Sequence, residues 1–239
     1  LAGDSFPQSR ILDGPLWLNK AEVPMAIKLV RFLLRTILRL IARVEMIGGE
    51  NIPRSGGYVI ASNHVGRLDA GLVYYALDTD SIIMLVAEKY EKYTFTRWLT
   101  RAVNGIFIDR FAPDIRALRE AMKRLQAGGI LAIAPEGTRS KSGTLIEARP
   151  GGIYLAWKAG VPIVPVALTG CEDAVVVDRL KHLRRLQIRI VAGESFTLPA
   201  DVKGKDRDAV MQQYTDEVMC RIAALLPEEK RGVYREHPR

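Results

Sequence analysis

The stretch YVIASNHVGRLDAGL, residues 58–72, decides how this chain is read. It opens on a short apolar run, 58–62, that reads as a buried strand, with Ser55-Gly56-Gly57 before it as a turn. A polar joint follows, and residues 69–77 then take up helical patterning. The joint carries His64 and Asp69. Five residues apart on one regular helix, they would point about 140° from each other. They meet only if the chain turns between them, and Gly66 is the expected place for that turn. An imidazole held by a carboxylate through one ring nitrogen keeps the other free to accept a proton, which is the arrangement of a general base. Taken alone, a His and an Asp at this spacing are also a common accident.

Outward from this stretch, short β-rich runs alternate with helical ones. Strands are expected at 82–86, 105–108, 130–134, 163–168 and 186–191, and helices at 93–103, 113–127 and 152–159. Pro113 in a first turn and Gly128 past the last one punctuate the helix between them. This alternation predicts an α/β fold with a central, largely parallel sheet flanked by helices. A closing helix is expected at 206–226, with a frayed charged tail from Glu228, and no internal repeat is present.

Three further segments carry candidate chemistry. Gly105-Ile106-Phe107-Ile108-Asp109-Arg110 reads as a strand whose end delivers an arginine, where α/β sheets usually bind ligands. Arg110 suits a phosphate through its planar fork, or caps the strand by pairing with Asp109 or Asp114. Ala134-Pro135-Glu136-Gly137-Thr138-Arg139-Ser140 follows another apolar strand and offers hydroxyls, a flexible glycine and a second guanidinium. It is not a phosphate-binding GxxxxGK[ST] loop, and a tight turn would also explain it. In Val161-Pro162-Ile163-Val164-Pro165, two prolines within an apolar run mark a sheet edge or the start of a strand.

At 239 residues with 48% hydrophobic content, the chain can bury a sizeable core, and one catalytic domain is the expectation. The net charge of +8 points to polyanionic partners without choosing among them. Cys171 and Cys220 are the only cysteines, which suits neither a disulfide framework nor a zinc site and is read as reduced thiols in a cytosolic setting. No run of about 18 uncharged apolar residues is present. The stretch 25–44 instead places Lys28, Arg31, Arg35, Arg39 and Arg43 on one helical stripe roughly 120° wide, with an apolar remainder. That balance suits a helix lying in a bilayer interface, with an ordinary buried helix as the alternative. Two domains are therefore expected, 1–44 as an extension with an amphipathic membrane helix and 45–239 as the catalytic body. Residues 1–24 lack signal-peptide features and read as irregular, with Met25 as the expected native start. The basic run Lys181-His182-Leu183-Arg184-Arg185 has no aromatic and carries leucines at helical spacing, so it reads as a solvated helix face and not as a nucleic-acid site.

In order along the chain, these segments resemble the four motifs of the glycerolipid acyltransferases of the PlsC type, the lysophosphatidic acid acyltransferase family. Asn63, His64 and Asp69 match NHxxxxD. Phe107 and Arg110 match the FxxR-type motif, Glu136 to Ser140 reproduce EGTRS, and Val161 to Pro165 match the proline-bearing motif. Many members carry Ser where this chain has Gly66, which leaves acceptor preference open. The resemblance implies a glycerol-phosphate acyltransferase-like α/β fold with His64 as base and Asp69 as its partner. It implies substrate contacts from Asn63 and Arg67, from Phe107 and Arg110, from Gly137, Thr138, Arg139 and Ser140, and from Pro165, with Glu136 holding either its own loop or the acceptor and not acting as an acid. The implied reaction moves a fatty acyl group from acyl-CoA or acyl carrier protein to the sn-2 hydroxyl of 1-acyl-glycerol-3-phosphate, forming phosphatidic acid. Glycerol-3-phosphate or another lysolipid is the alternative acceptor. No metal or other cofactor is implied, and the expected location is the cytoplasmic face of the cell membrane, peripheral or monotopic.

Overall fold

The computed structural model describes residues 23–77, 79–109, 114–200 and 207–236. Helix α1 (Val23–Ile41) leads into strand β1 (Ala42–Ile47), and then β2 (Tyr58–Ser62), α2 (Asp69–Ala76), β3 (Ile82–Ala87), α3 (Thr94–Ala102), β4 (Ile106–Ile108) and α4 (Ile115–Gln126) follow. The chain continues through β5 (Ile130–Ile133), α5 (Gly151–Ala159), β6 (Ile163–Thr169), α6 (Asp173–Lys181), β7 (Leu186–Ala192) and α7 (Arg207–Leu225).

The seven strands form one sheet in the order β1-β7-β6-β2-β5-β3-β4. From β6 to β4 the strands are parallel, and β1 is parallel to β7, but β7 runs antiparallel to β6. Side-chain alternation then builds two cores, one on each face. Val59, Ala61, Leu131 and Ile163 meet α4, α5 and α7 through Leu125, Ile153 and Met219. Tyr58, Ile60, Ile130 and Val164 meet α1 and α2 through Leu38 and Leu72. Because β2, β4, β5 and β6 are parallel, the joint after β2 and the loops after β4, β5 and β6 gather at one end of the sheet.

Five expectations are corrected. The stretch 25–44 is not one helix: Ala42 enters β1 in register with Leu186, and Arg185 donates to the carbonyls of Arg39 and Ala42 where α1 ends. Arg43 therefore lies off the helical stripe, and the expected boundary at 44/45 falls inside a strand. The stripe also faces inward in part. Arg31, 8% exposed, pairs with Asp80, and Arg35 donates to the carbonyls of Tyr75 and Leu77. What α1 exposes is its apolar side, with Met25, Leu29, Phe32, Leu33, Ile37 and Leu40 all at least half exposed, beside Lys28 and Arg39.

Third, β6 is a central strand, not an edge. Pro162 precedes it as expected, but Pro165 sits inside it opposite Ala61. The carbonyl of Pro165 accepts from Gly193 on the β7 side, where regular pairing starts only at Val166, so the missing N–H falls just short of that ladder. Fourth, the tail from Glu228 is not frayed over its described residues, 228–236. Tight turns at Glu228–Lys230 and Gly232–Tyr234 bury Tyr234, whose hydroxyl accepts from Ala148 N–H and donates to Asp216. The basic run at 181–185 is likewise no helix face, since α6 stops at Lys181 and Leu186 opens β7.

Candidate active site

The joint after β2 is irregular from Asn63 to Leu68, and α2 then begins at Asp69. Within it, His64 Nδ1 lies 2.7 Å from Asp69 Oδ2. That same oxygen accepts from the backbone N–H groups of Val65 at 2.8 Å and Gly66 at 3.0 Å, and the other takes a weak bond from the Cys171 thiol. Asp69 is thus buried and held by four donors. The imidazole donates to it through Nδ1, leaving Nε2 directed away from the pair. The chain turns between the two residues as the spacing requires, but Gly66 serves it differently from expectation. Its φ is not in the left-handed region; instead a Cβ there would stand 2.0 Å from the Cys171 carbonyl oxygen.

The loop after β5 fixes His64 from the other side. Glu136, 2% exposed, accepts from His64 N–H at 2.7 Å and from Ile146 N–H at 3.1 Å. Ser140 N–H donates to the His64 carbonyl at 2.8 Å. Both polar groups of the His64 backbone are therefore occupied by one loop, and Gly137, at φ 66, allows that loop its bend. Burial pushes the Glu136 carboxyl up to about 7, against the pull of the His64 and Ile146 N–H groups and of the nearby imidazole.

Both residues of the pair line a cleft of about 1540 Å³. Val30 and Leu34 of α1, Tyr74 of α2, Met84 of β3, Leu99 of α3 and Val103 just past its end, all buried or half-buried, give it an apolar wall. Its mouth carries Arg67, Thr138, Arg139, Lys141, Arg149 and Lys230. Arg139 Nη1 sits 2.6 Å from Asp173 Oδ2, and the other carboxylate oxygen of Asp173 accepts from Arg67 N–H at 2.8 Å. Glu172, beside Asp173, pairs with Lys230.

Of the residues expected to touch substrate, Arg67, Gly137, Thr138, Arg139 and Ser140 line this cleft. Asn63 does not: it is 2% exposed, and its amide both donates to Leu168 O at 2.9 Å and accepts from Leu168 N–H at 2.7 Å, extending the β2–β6 pairing by side chain. Glu136 takes the first of its two expected roles and holds its loop to backbone, while Pro165 is buried in β6 and Phe107 does not line the cleft. Arg110 lies outside the described residues. Asp173, Lys230 and the Cys171 backbone belong to the site although no local pattern marks them. Among the described residues no cluster of His, Cys, Asp or Glu could hold a metal ion.

The family model described as Acyltransferase matches residues 43–169, just over half of the chain. This chain belongs to the Acyltransferase family. Within it, the 1-acyl-sn-glycerol-3-phosphate acyltransferase of Bacillus subtilis is 26% identical over 183 residues, covering 75% of this chain and 88% of that protein. The enzyme of the same name from Borreliella burgdorferi is 29% identical over 128 residues, covering 53% and 51%. The sheep alpha form, 30% identical, covers 69% of this chain and 58% of its own length. The chain therefore spans just over half the length of the Borreliella and sheep relatives, and most of the Bacillus one. The crystal structure of the 1-acyl-sn-glycerophosphate acyltransferase PlsC from Thermotoga maritima superposes with a TM-score of 0.61 at 24% identity, over 88% of this chain and 83% of that one, which shows the shared fold.

Proposed function

We propose that the chain transfers a fatty acyl group from an acyl thioester to the free sn-2 hydroxyl of 1-acyl-glycerol-3-phosphate, giving phosphatidic acid. The observation that carries this reading is the His64–Asp69 pair on the wall of a cleft that is lined both by buried apolar side chains and by a group of cations. The names of the family relatives above support the same acceptor.

In this mechanism His64 Nε2 takes the hydroxyl proton as the acceptor oxygen attacks the thioester carbonyl carbon. Asp69 orients the ring and stabilises the imidazolium. The tetrahedral intermediate then collapses with cleavage of the C–S bond, and the departing thiolate takes the proton from His64. Because Val65 and Gly66 N–H are occupied by Asp69, the first-turn amides of α2 at Ala70 and Gly71, both on the cleft, are the proposed oxyanion donors. The acyl chain lies along Leu34, Tyr74 and Leu99, and the acceptor phosphate against Arg139, Lys141 and Lys230. Arg110 is assigned to the phosphate on its sequence motif. The thioester, from coenzyme A or a carrier protein, is a substrate and not a cofactor.

We further propose that α1 is the membrane-contact element, attaching the enzyme peripherally at the cytoplasmic surface through its exposed apolar side, with Lys28 and Arg39 toward anionic headgroups. No helix among the described residues is long and apolar enough to cross a membrane.

His64→Ala tests the mechanism. Removal of a general base is expected to lower kcat about 10²- to 10⁴-fold, with thermal unfolding unchanged. Turnover within a few-fold of the wild type would remove His64 from the reaction.

A further inference from the structure

Between α6 and β7 the chain makes a turn that the catalytic reading leaves unexplained. Leu183 stands at its tip, 96% exposed and in the left-handed region at φ 52. A branched apolar residue there carries two penalties at once, a strained backbone and a side chain wholly in water. The strain is built in, because the turn is pinned. Leu183 N–H bonds Leu180 O, Arg184 N–H bonds Arg179 O at 2.8 Å, and Arg179 Nε donates to Arg185 O at 2.8 Å.

Around this leucine the surface is basic. Lys181, His182 and Arg184 flank it and are exposed; His182 stays with Asp178, while Lys181 and Arg184 enter no ion pair among the described residues. Leu180 and Val177, one and two helical turns back along α6, are exposed as well, and α6 buries none of its residues. The turn also has a fixed neighbour. Arg185 reaches across to the carbonyls of Arg39 and Ala42, which sets it beside the last turn of α1, where Leu40 is 71% exposed. Since β7 runs antiparallel to β6, with Thr169 opposite Arg189, this turn lies at the end of the sheet where His64 lies.

We propose that residues 181–185 form a second lipid-contact surface, in which Leu183 enters an anionic bilayer while Lys181 and Arg184 meet its headgroups. The inference rests on the membrane reading of α1 and adds a separate point of contact on the side of the active site. A convex, rigid apolar tip ringed by cations matches a fluid anionic interface, which can close around it, and continues the apolar side of α1.

The test uses the full chain and vesicles of phosphatidylcholine with and without a minority of phosphatidylglycerol. Leu183→Gly suits the left-handed backbone, so its thermal stability should hold or rise, while its affinity for anionic vesicles should fall about tenfold. Lys181→Gln and Arg184→Gln should each weaken anionic-vesicle binding about fivefold and leave neutral-vesicle binding alone. Leu183→Trp should shift its emission to the blue on vesicle binding, as should Leu40→Trp on α1. A shift from Trp at 40 without one at 183, or wild-type affinity in Leu183→Gly, overturns this proposal and leaves the α1 reading standing. No vesicle binding by the wild type overturns both. Duplex DNA affinity that falls more than vesicle affinity in Lys181→Gln and Arg184→Gln would overturn it in favour of nucleic acid. Loss of activity with a carrier-protein thioester alone, at undiminished vesicle affinity, would overturn it in favour of donor docking.

Discussion

Glu136 fixes the backbone of His64, because its carboxyl holds the histidine's own N–H and ties it to Ile146. With its folded pKa pushed up to about 7 from an ordinary 4.5, the folded protein binds more protons than the unfolded chain between those values. Stability attributable to this group is therefore fully present at low pH and lost as pH rises through that window. Glu136→Gln should remove this slope, so its stability deficit against wild type should be larger at pH about 5 than at about 8 in denaturant unfolding. The deficit itself is expected, at about 1–3 kcal/mol, because an amide turns an N–H toward one of the two N–H donors that Glu136 now accepts. Asp173 makes a contrasting case. Its pair with Arg139 is partly exposed, and Asp173→Asn keeps an acceptor for Arg67 N–H while freeing the guanidinium. The KM for a phosphate-bearing acceptor should fall about fivefold, in line with about 1 kcal/mol for such a pair, and the KM for the thioester should stay put. A rise in both constants would make Asp173 merely structural. At this scale the sequence displayed His64, Asp69 and Arg139 through residue type and spacing. It did not display that Asn63 is consumed by Leu168 or that Lys230 reaches the cleft, because both depend on partners more than 50 residues away.

Among the elements, the joint between β2 and α2 is the most tightly constrained. Its turn was legible from the spacing of His64 and Asp69, but the reason for glycine was not, since the obstacle is the carbonyl of Cys171 on a distant loop. Gly66→Ala should therefore destabilise the fold by about 1–3 kcal/mol and lower activity with it, read by denaturant midpoint and turnover together. A variant of wild-type stability would show that the loop bearing Cys171 yields. The strands at 58–62 and 163–169 stood out because buried parallel strands are continuous apolar runs. β1 did not, because its residues continue a helical pattern and become a strand only by pairing with β7. Helix α6 escaped for the opposite reason: its Val175, Val176 and Val177 favour a strand locally, and the helix buries none of its residues. Pro165 misled because the edge rule concerns donors, and at this position Gly193 calls only on the proline's carbonyl, just before regular pairing with β7 begins.

For the whole molecule, alternation of strand and helix sufficed to predict a largely parallel sheet with two helical layers. The reversal at β7, which brings the start of β1, α6 and the 181–185 turn to the active-site end, leaves no local trace. The inward turn of Arg31 and Arg35 was equally hidden, as periodicity gives the arc of a stripe and not the direction it faces. If α1 meets lipid through its other side, Phe32→Ser combined with Leu33→Ser should reduce vesicle binding more than tenfold while thermal stability holds, since both side chains are at least half exposed. Unchanged sedimentation with vesicles would detach the enzyme from this mode of contact. Val30 and Leu34 of that same helix wall the apolar channel. A fatty chain inside the channel and a lipid tail against the outer side would then be separated by a single helix, a partition about 10 Å thick. Such a partition would make the bilayer a reservoir adjoining the reaction chamber, so that hydrocarbon would pass between two oily compartments without being exposed to bulk water.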